Sequence, residues 1–63
     1  MIKVSRNDVL KDESAMVRFV SAYALGLIGD PRAVDALTYV ASNDKHSLVR
    51  EAAAEALEKI QAE

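Results

Sequence analysis

Few residues in this chain of 63 could carry out chemistry, and they do not combine into a catalytic set. His46 is the single histidine, and no cysteine is present. A lone imidazole lacks the further nitrogen or thiolate ligands of a zinc site, and no partner for general acid–base catalysis is evident. We interpret His46 as a solvated residue at the start of a helix, and we expect no catalytic residue, metal ligand or cofactor.

Two other groups look like functional motifs without meeting their requirements. Glu51, Glu55 and Glu58 share one helix face, where paired carboxylates could bind a hard cation, but a solvated helix face is the favoured interpretation. Gly26 and Gly29 are not a phosphate loop, because no P-loop lysine and no preceding strand accompany them. Gly29 instead suits the left-handed position after a helix, and Gly26 favours close packing.

The spacing of the apolar residues predicts three helices, over residues 14–28, 31–41 and 45–61. The residues expected at their ends are Asp12 or Ser14, Gly29, Asp30 with Pro31, and Asp44. The residues expected in the core are Val17, Val20, Ala24, Ile28, Val34, Leu37, Val49, Ala53, Ala56, Leu57 and Ile60. Residues 1–11 are expected to be a weak helix or an irregular lead-in, whose apolar members are Ile2, Val4, Val9 and Leu10.

The amino-acid composition limits the classes of partner that the chain is expected to bind. Eight basic and ten acidic residues give a net charge of −2, and the basic residues are scattered, whereas phosphate binding needs a clustered positive face. No apolar run approaches the roughly 18 residues of a membrane span, and the start lacks the apolar region of a signal peptide. Without cysteine, the chain fits a reducing compartment. We therefore expect a cytoplasmic protein that binds neither nucleic acid nor membrane.

The sequence nearly repeats itself at an offset of 32 residues. The segment from Val17 to Ile28 returns as the segment from Val49 to Ile60, with matching small and branched apolar residues. A repeat of this length is typical of stacked helical hairpins. The motif V-R…A-L-G-L-I-G-D-P-R-A-V-D-A-L, over residues 17–37, resembles the HEAT-like repeats of the bilin-lyase (PBS lyase) type.

The resemblance implies an all-α fold of about one and a half repeats in a right-handed solenoid that binds other proteins. Residues 12–44 would form the first repeat, residues 45–63 the first helix of a second, and residues 1–11 a lead-in or partial cap. The resemblance also implies structural roles for the repeated Arg18 and Arg50, which in such repeats pair with acidic groups. The available acidic groups are Asp12, Asp30 and Asp44.

Some relatives in this class are enzymes, and their chemistry is not evident here. Deoxyhypusine-hydroxylase-like repeats place a His-Glu pair directly after the repeat arginine to hold a two-iron centre. The corresponding positions in this chain hold Phe19-Val20 and Glu51-Ala52. Bilin lyases have no compact motif to carry over. The expectation is that the chain is not an enzyme, with an accessory fragment of either kind of enzyme as an alternative.

A comparison of the two copies singles out one apolar stripe. Phe19, Tyr23 and Leu27, which we call the aromatic stripe, correspond to charged residues in the second copy (Glu51, Glu55 and Lys59). Exposed apolar surface usually marks an interface. The expected interface residues are Met16, Phe19, Tyr23, Leu27 and Tyr39.

Three occupants of the aromatic stripe remain open from the sequence. The N-terminal lead-in could fold over it, a second copy of the chain could bind it, or a foreign protein or neighbouring repeat could do so. A chain this short buries only roughly 60% of its unfolded surface, and association is a common supplement. The expected function is a non-catalytic protein–protein interaction or scaffold module, with a homodimer that completes its own core as an alternative.

Overall fold

In a computed structural model of the chain, which describes residues 8–62, three α-helices follow one another and the described residues contain no strand. They are α1 (Ala15–Ile28), α2 (Val34–Asn43) and α3 (Ser47–Gln61). Short 3-10 turns precede α1 at Asp8–Lys11 and α2 at Pro31–Ala33. The predicted all-α architecture with three main helices is confirmed.

The ends of α1 form as the sequence predicts. The Ser14 hydroxyl accepts a hydrogen bond from the Val17 amide at 3.4 Å, which satisfies one of the free donors of the first turn. Gly29 ends the helix with a φ of 73°, a left-handed conformation that favours glycine. Asp30 then accepts from the Arg32 amide at 2.9 Å and starts the next turn.

The start of α3 differs from the prediction in one detail. His46, rather than Asp44, is the N-cap, and its Nδ1 atom accepts from the Leu48 amide at 3.3 Å. Asp44 lies two residues earlier, where its Oδ1 atom accepts from the His46 amide at 2.9 Å. The Asp44 carboxylate also faces α1, where it binds Arg18.

The two repeat-related helices, α1 and α3, lie side by side and run in the same direction. Near their starts, Arg18 of α1 binds Asp44, which precedes α3. Near their ends, Gly26 of α1 touches Ala56 of α3. Helix α2 packs against α3. Small residues along α3 allow these close approaches, because short side chains reduce the distance between helix axes.

The core is built mainly from α2, α3 and one side of α1. Leu37 and Val49 are the largest fully buried side chains, and Ala53 and Ala56 are buried with them, as predicted. Leu57 and Ile60 are partly buried and pack against the core. The buried apolar residues of the described chain are Leu10, Ala22, Leu25, Ala33, Leu37, Val40, Val49, Ala52, Ala53 and Ala56.

The predicted core face of α1 is wrong. Val17, Val20 and Ile28 are exposed, the last two by more than half of their surface, and Ala24 and the predicted core residue Val34 are only partly buried. The opposite side of α1 is buried instead, through Arg18, Ala22, Leu25 and Gly26. Apart from Arg18 and Ser21, helix α1 has apolar or aromatic residues on every side, so its hydrophobic periodicity could not decide which side faces inward.

Arg18 decides the rotation of α1. Its Nε and Nη2 atoms donate to the two carboxylate oxygens of Asp44 at 2.7 and 3.1 Å. Its Nη1 atom donates to the carbonyl oxygens of Asp12 and Glu13 at 2.8 and 3.1 Å. Both side chains of the ion pair are only 8% exposed. A planar guanidinium suits this bidentate arrangement, which fixes geometry as well as charge.

The junction before each repeated helix is built in the same way. The Asp12 carboxylate accepts from the Ser14 amide at 2.9 Å, just as Asp44 accepts from the His46 amide. Arg50 donates to the Asp44 carbonyl as Arg18 donates to the Asp12 carbonyl. The predicted structural role of the repeat arginines is therefore confirmed for the pair of Arg18 with Asp44.

The electrostatic surroundings of Asp44 favour its charged form. Burial alone would raise the pKa of the Asp44 carboxyl, but the hydrogen bonds from Arg18 and from the His46 amide, with the positive charges nearby, outweigh it. The net result is a pKa below the ordinary value of 3.8.

Of the predicted N-terminal lead-in, Ile2 and Val4 lie outside the described residues. Leu10, in the 3-10 turn before α1, is buried and belongs to the core. The turn contacts both α1 and α2. The end of the lead-in thus contributes to the core of the hairpin.

We expect Arg18→Ala to lower the free energy of unfolding by about 3 kcal/mol, because it leaves the buried Asp44 carboxylate without its cation. The control is Arg32→Ala, which breaks a bidentate pair with Asp30 whose arginine side chain is 84% exposed. Its effect should stay within about 0.5 kcal/mol. Urea unfolding followed by circular dichroism measures both. Equal effects of the two variants would contradict the structural role of the buried pair.

Asp44 should also make the fold sensitive to acid. Because its pKa is lowered in the folded state, the carboxylate contributes stability above the unfolded value of 3.8, and this contribution is lost as the pH falls through the folded pKa. The urea midpoint of the wild type should therefore fall below about pH 4. Asp44→Asn should be less stable at neutral pH and should lose less stability in acid than the wild type.

Candidate functional site

The exposed half of α1 is the most distinctive surface of the described chain. Nine large hydrophobic residues are exposed, and seven of them lie on α1: Met16, Val17, Phe19, Val20, Tyr23, Leu27 and Ile28. The one charged residue of α1, Arg18, is turned inward. Contiguous apolar surface on a small protein marks an interaction site. The candidate site is therefore this uncharged half of the helix.

Part of the aromatic stripe lines a shallow depression between α1 and α3. Phe19 and Tyr23 form its α1 side, and Leu48 and Ala52 form the apolar part of its α3 side. Its volume of about 240 Å³ is smaller than the roughly 300–1,000 Å³ of small-molecule sites. It is large enough for one inserted side chain, which is how an anchor residue of a partner protein binds.

Charged residues border this depression on the α3 side. Glu51 and Glu55 line it together with the apolar residues, and the Lys59 ammonium lies 4.8 Å from the centre of the Tyr23 ring. This distance is within the range of a cation–π interaction. An apolar floor with an acidic rim is suited to an apolar side chain that is flanked by basic residues.

The structure places the predicted interface residues in two different regions. Met16, Phe19, Tyr23 and Leu27 all lie on the exposed half of α1, with Met16 and Leu27 more than 60% exposed. Tyr39 lies on α2 instead and lines a separate open cleft beside Leu10. The structure therefore does not bring Tyr39 to the α1 surface.

The separate cleft contains charged groups with structural roles. Arg18 and Asp44 line it and are bound to each other, and Lys11 and Lys45 border it. The Asp44 carboxylate thus binds Arg18, and this ion pair joins the two repeats. Among residues 8–62, no group of three or more His, Cys, Asp or Glu side chains is placed to hold a metal ion, and no helix is long and apolar enough to cross a membrane.

Val17, Val20 and Ile28 are surface residues that the helical pattern wrongly assigned to the core. The equivalent positions of the second repeat indicate which side of α1 is exposed. Val20 and Ile28 correspond to Ala52 and Ile60 of α3, and Ala52 lies on the side of α3 that faces α1. The equivalent side of α1 therefore faces away from α3, where no described element covers it.

Two parallel, repeat-related helices joined by a third are the architecture of an α-helical repeat protein. A family model for HEAT repeats matches residues 7–63, so the chain belongs to the HEAT repeat family. Deoxyhypusine hydroxylase from Neurospora crassa is 49% identical to the chain over 49 residues, which is 76% of this chain. The chain spans about 15% of the length of that relative. No solved structure gives a significant match.

The close approach of α1 to α3 can be tested at Gly26. A Cβ atom at this position would lie 2.8 Å from the Ala56 Cα atom and 2.9 Å from its Cβ atom. We expect Gly26→Ala to lower the free energy of unfolding by about 1–3 kcal/mol, because the helices must move apart. Ala56→Gly should relieve part of this effect, because it removes the Ala56 Cβ atom but leaves the Cα atom at 2.8 Å. Urea unfolding of the two single variants and the double variant measures this coupling, and additive effects would contradict the contact.

Proposed function

We propose that this chain is a non-catalytic protein-binding module of the HEAT repeat class, which binds a partner through the exposed half of α1. The observation that carries the proposal is the uncharged outer surface of α1, with seven exposed large hydrophobic residues. Burial of apolar surface is the main driving force of protein association. Within the family, the motif over residues 17–37 favours the bilin-lyase type of repeat, and the surface does not depend on that subtype.

The depression between α1 and α3 supports a specific mode of recognition. One apolar side chain of the partner would enter between Phe19 and Tyr23, and basic residues beside it would face Glu51 and Glu55. Aromatic residues in a partly enclosed site often dominate binding energy, and charged residues at the rim mainly affect specificity and association rate. We expect the partner segment to combine an aromatic or branched apolar residue with flanking lysine or arginine.

An accessory role beside an enzyme is the second candidate function. The observation that favours it is the similarity to a segment of deoxyhypusine hydroxylase from Neurospora crassa. The positions after the two repeat arginines hold Phe19-Val20 and Glu51-Ala52, which supply no histidine. A fragment of this type would act by packing against other repeats and would not itself supply metal ligands.

The primary proposal can be tested with peptides selected from a display library on the immobilised chain. We expect the selected peptides to contain an apolar residue with basic neighbours. Phe19→Ala combined with Tyr23→Ala should weaken their binding by at least about 30-fold, which corresponds to the loss of about 2 kcal/mol at a dominant contact. Isothermal titration calorimetry measures the affinities, and circular dichroism verifies that the variants remain helical.

Two control variants test separately the location of the aromatic contact and the role of the acidic rim. Tyr39→Ala removes an exposed aromatic from the other cleft and should leave the affinity unchanged. Glu51→Gln with Glu55→Gln should slow association and reduce its dependence on salt. Unchanged binding by a folded variant that lacks both Phe19 and Tyr23 would refute the proposed binding surface.

A further inference from the structure

The depression between α1 and α3 has two walls of different chemistry. Phe19 and Tyr23 line it from α1, and Glu51 and Glu55 line it from α3 together with apolar residues. The two glutamates are four positions apart on one helix, so their side chains are neighbours, with Cβ atoms roughly 5–6 Å apart. A ligand in the depression therefore meets aromatic rings on one side and a pair of adjacent carboxylates on the other.

Both carboxylates are available to a ligand. Among residues 8–62, Glu51 and Glu55 form no ion pair and no side-chain hydrogen bond. Lys59 follows Glu55 by four positions, in the favourable order for an ion pair on a helix, but its ammonium lies over the Tyr23 ring instead. Like charges one turn apart on a helix destabilise each other. A cation bound by both carboxylates would remove this repulsion.

The aromatic wall also favours a cation. The face of an aromatic ring attracts positive charge, and the Lys59 ammonium, 4.8 Å from the centre of the Tyr23 ring, already makes such a contact within the chain. No cation of the described residues lies over the Phe19 ring, and Phe19 is 37% exposed. The Phe19 ring and the two glutamates are thus complementary to one additional positive group.

An arginine side chain suits these two walls better than a lysine does. Its guanidinium is planar, so its face can stack on a ring while the N–H groups at its edge donate to both carboxylates. Its apolar stem can cover hydrophobic surface while the charged end stays near water. A lysine ammonium is a compact, strongly hydrated charge without a planar face. Arginine is also enriched among the residues that dominate protein interfaces.

We propose that the depression binds one arginine of the partner, whose guanidinium bridges Glu51 and Glu55 and stacks on Phe19. The inference rests on the proposed function of α1 as a protein-binding surface and specifies one residue of the partner segment. The arginine lies at the opening of the depression, beside the apolar residue that enters between Phe19 and Tyr23. General attraction between charged surfaces mainly speeds association, whereas a hydrogen-bonded charge pair mainly slows dissociation. The dissociation rate is therefore the quantity that reports on the bridge.

The probe is the tightest-binding peptide from the display selection, compared with forms in which arginine is replaced by lysine or by citrulline, which has a similar shape but no charge. We expect an arginine beside the apolar residue. Its replacement by either residue should raise the dissociation rate at least about tenfold. Biolayer interferometry on the immobilised chain measures association and dissociation rates separately.

Glu51→Gln and Glu55→Gln, tested singly, should each raise the dissociation rate of the arginine peptide at least about fivefold. Neither variant should change that of the citrulline peptide, because the bridge is then already absent. Glu58→Gln is the matched control, since it removes the same charge from an exposed position of α3 outside the lining of the depression. It should leave the dissociation rate unchanged. All three glutamates are exposed, so each variant should keep its helical circular dichroism.

The arginine bridge is overturned by selected peptides without arginine, by a lysine peptide that dissociates as slowly, or by glutamine variants that affect the arginine and citrulline peptides equally. If binding is still lost when Phe19 and Tyr23 are both replaced by alanine, these results leave the proposed function standing. Unchanged binding by that double variant refutes the proposed function itself. A selection that yields no binding peptide refutes both.

Discussion

The orientation of α1 depends on one buried ion pair. Arg18 is the only charged residue of this helix, and it must lie where both the Asp44 carboxylate and two free carbonyl oxygens can accept its hydrogen bonds. A guanidinium in a low-dielectric region without these acceptors would be strongly unfavourable. Once Arg18 is placed, Ala22, Leu25 and Gly26 must face α3 or the hairpin. The remaining apolar residues of α1 then face outward, so the same pair that holds the repeats together creates the exposed surface.

The two repeated helices differ in the residues that they present to a following helix. Helix α1 accepts a neighbour, and it carries Gly26 where the α3 backbone comes within van der Waals contact. Helix α3 carries Glu58 at the equivalent position, with Glu55 about one turn and Glu51 about two turns earlier, and all three are exposed. Glutamate has good helix propensity, so this surface is compatible with a stable exposed helix. The stack of described helices thus has one polar side and one apolar side.

Much of this fold could be predicted from local chemistry, but the rotation of α1 could not. Caps and turns depend on a few neighbouring residues, and Ser14, Gly29 and Asp30 act as their types suggest. Leu37 and Val49 lie on helices with a clear polar face, which identifies the buried side. Helix α1 has no polar face, and the partner of Arg18 is 26 residues away in sequence. For the same reason Asp44 was expected to cap α3, although its carboxylate is used mainly to bind Arg18 and the cap passes to His46.

The exposed half of α1 has two borders of different chemical character. Toward α3, Phe19 and Tyr23 meet a rim of glutamates, which selects a partner by shape and by charge. On the side away from α3, Met16, Val20 and Ala24 have no charged residue beside them on α1, so this side offers apolar surface only. Successive residues of a helix are about 100° apart, so Phe19 and Val20 point in clearly different directions. A partner seated at the depression would therefore gain specificity from Glu51 and Glu55, whereas contacts on the side away from α3 would add apolar burial alone.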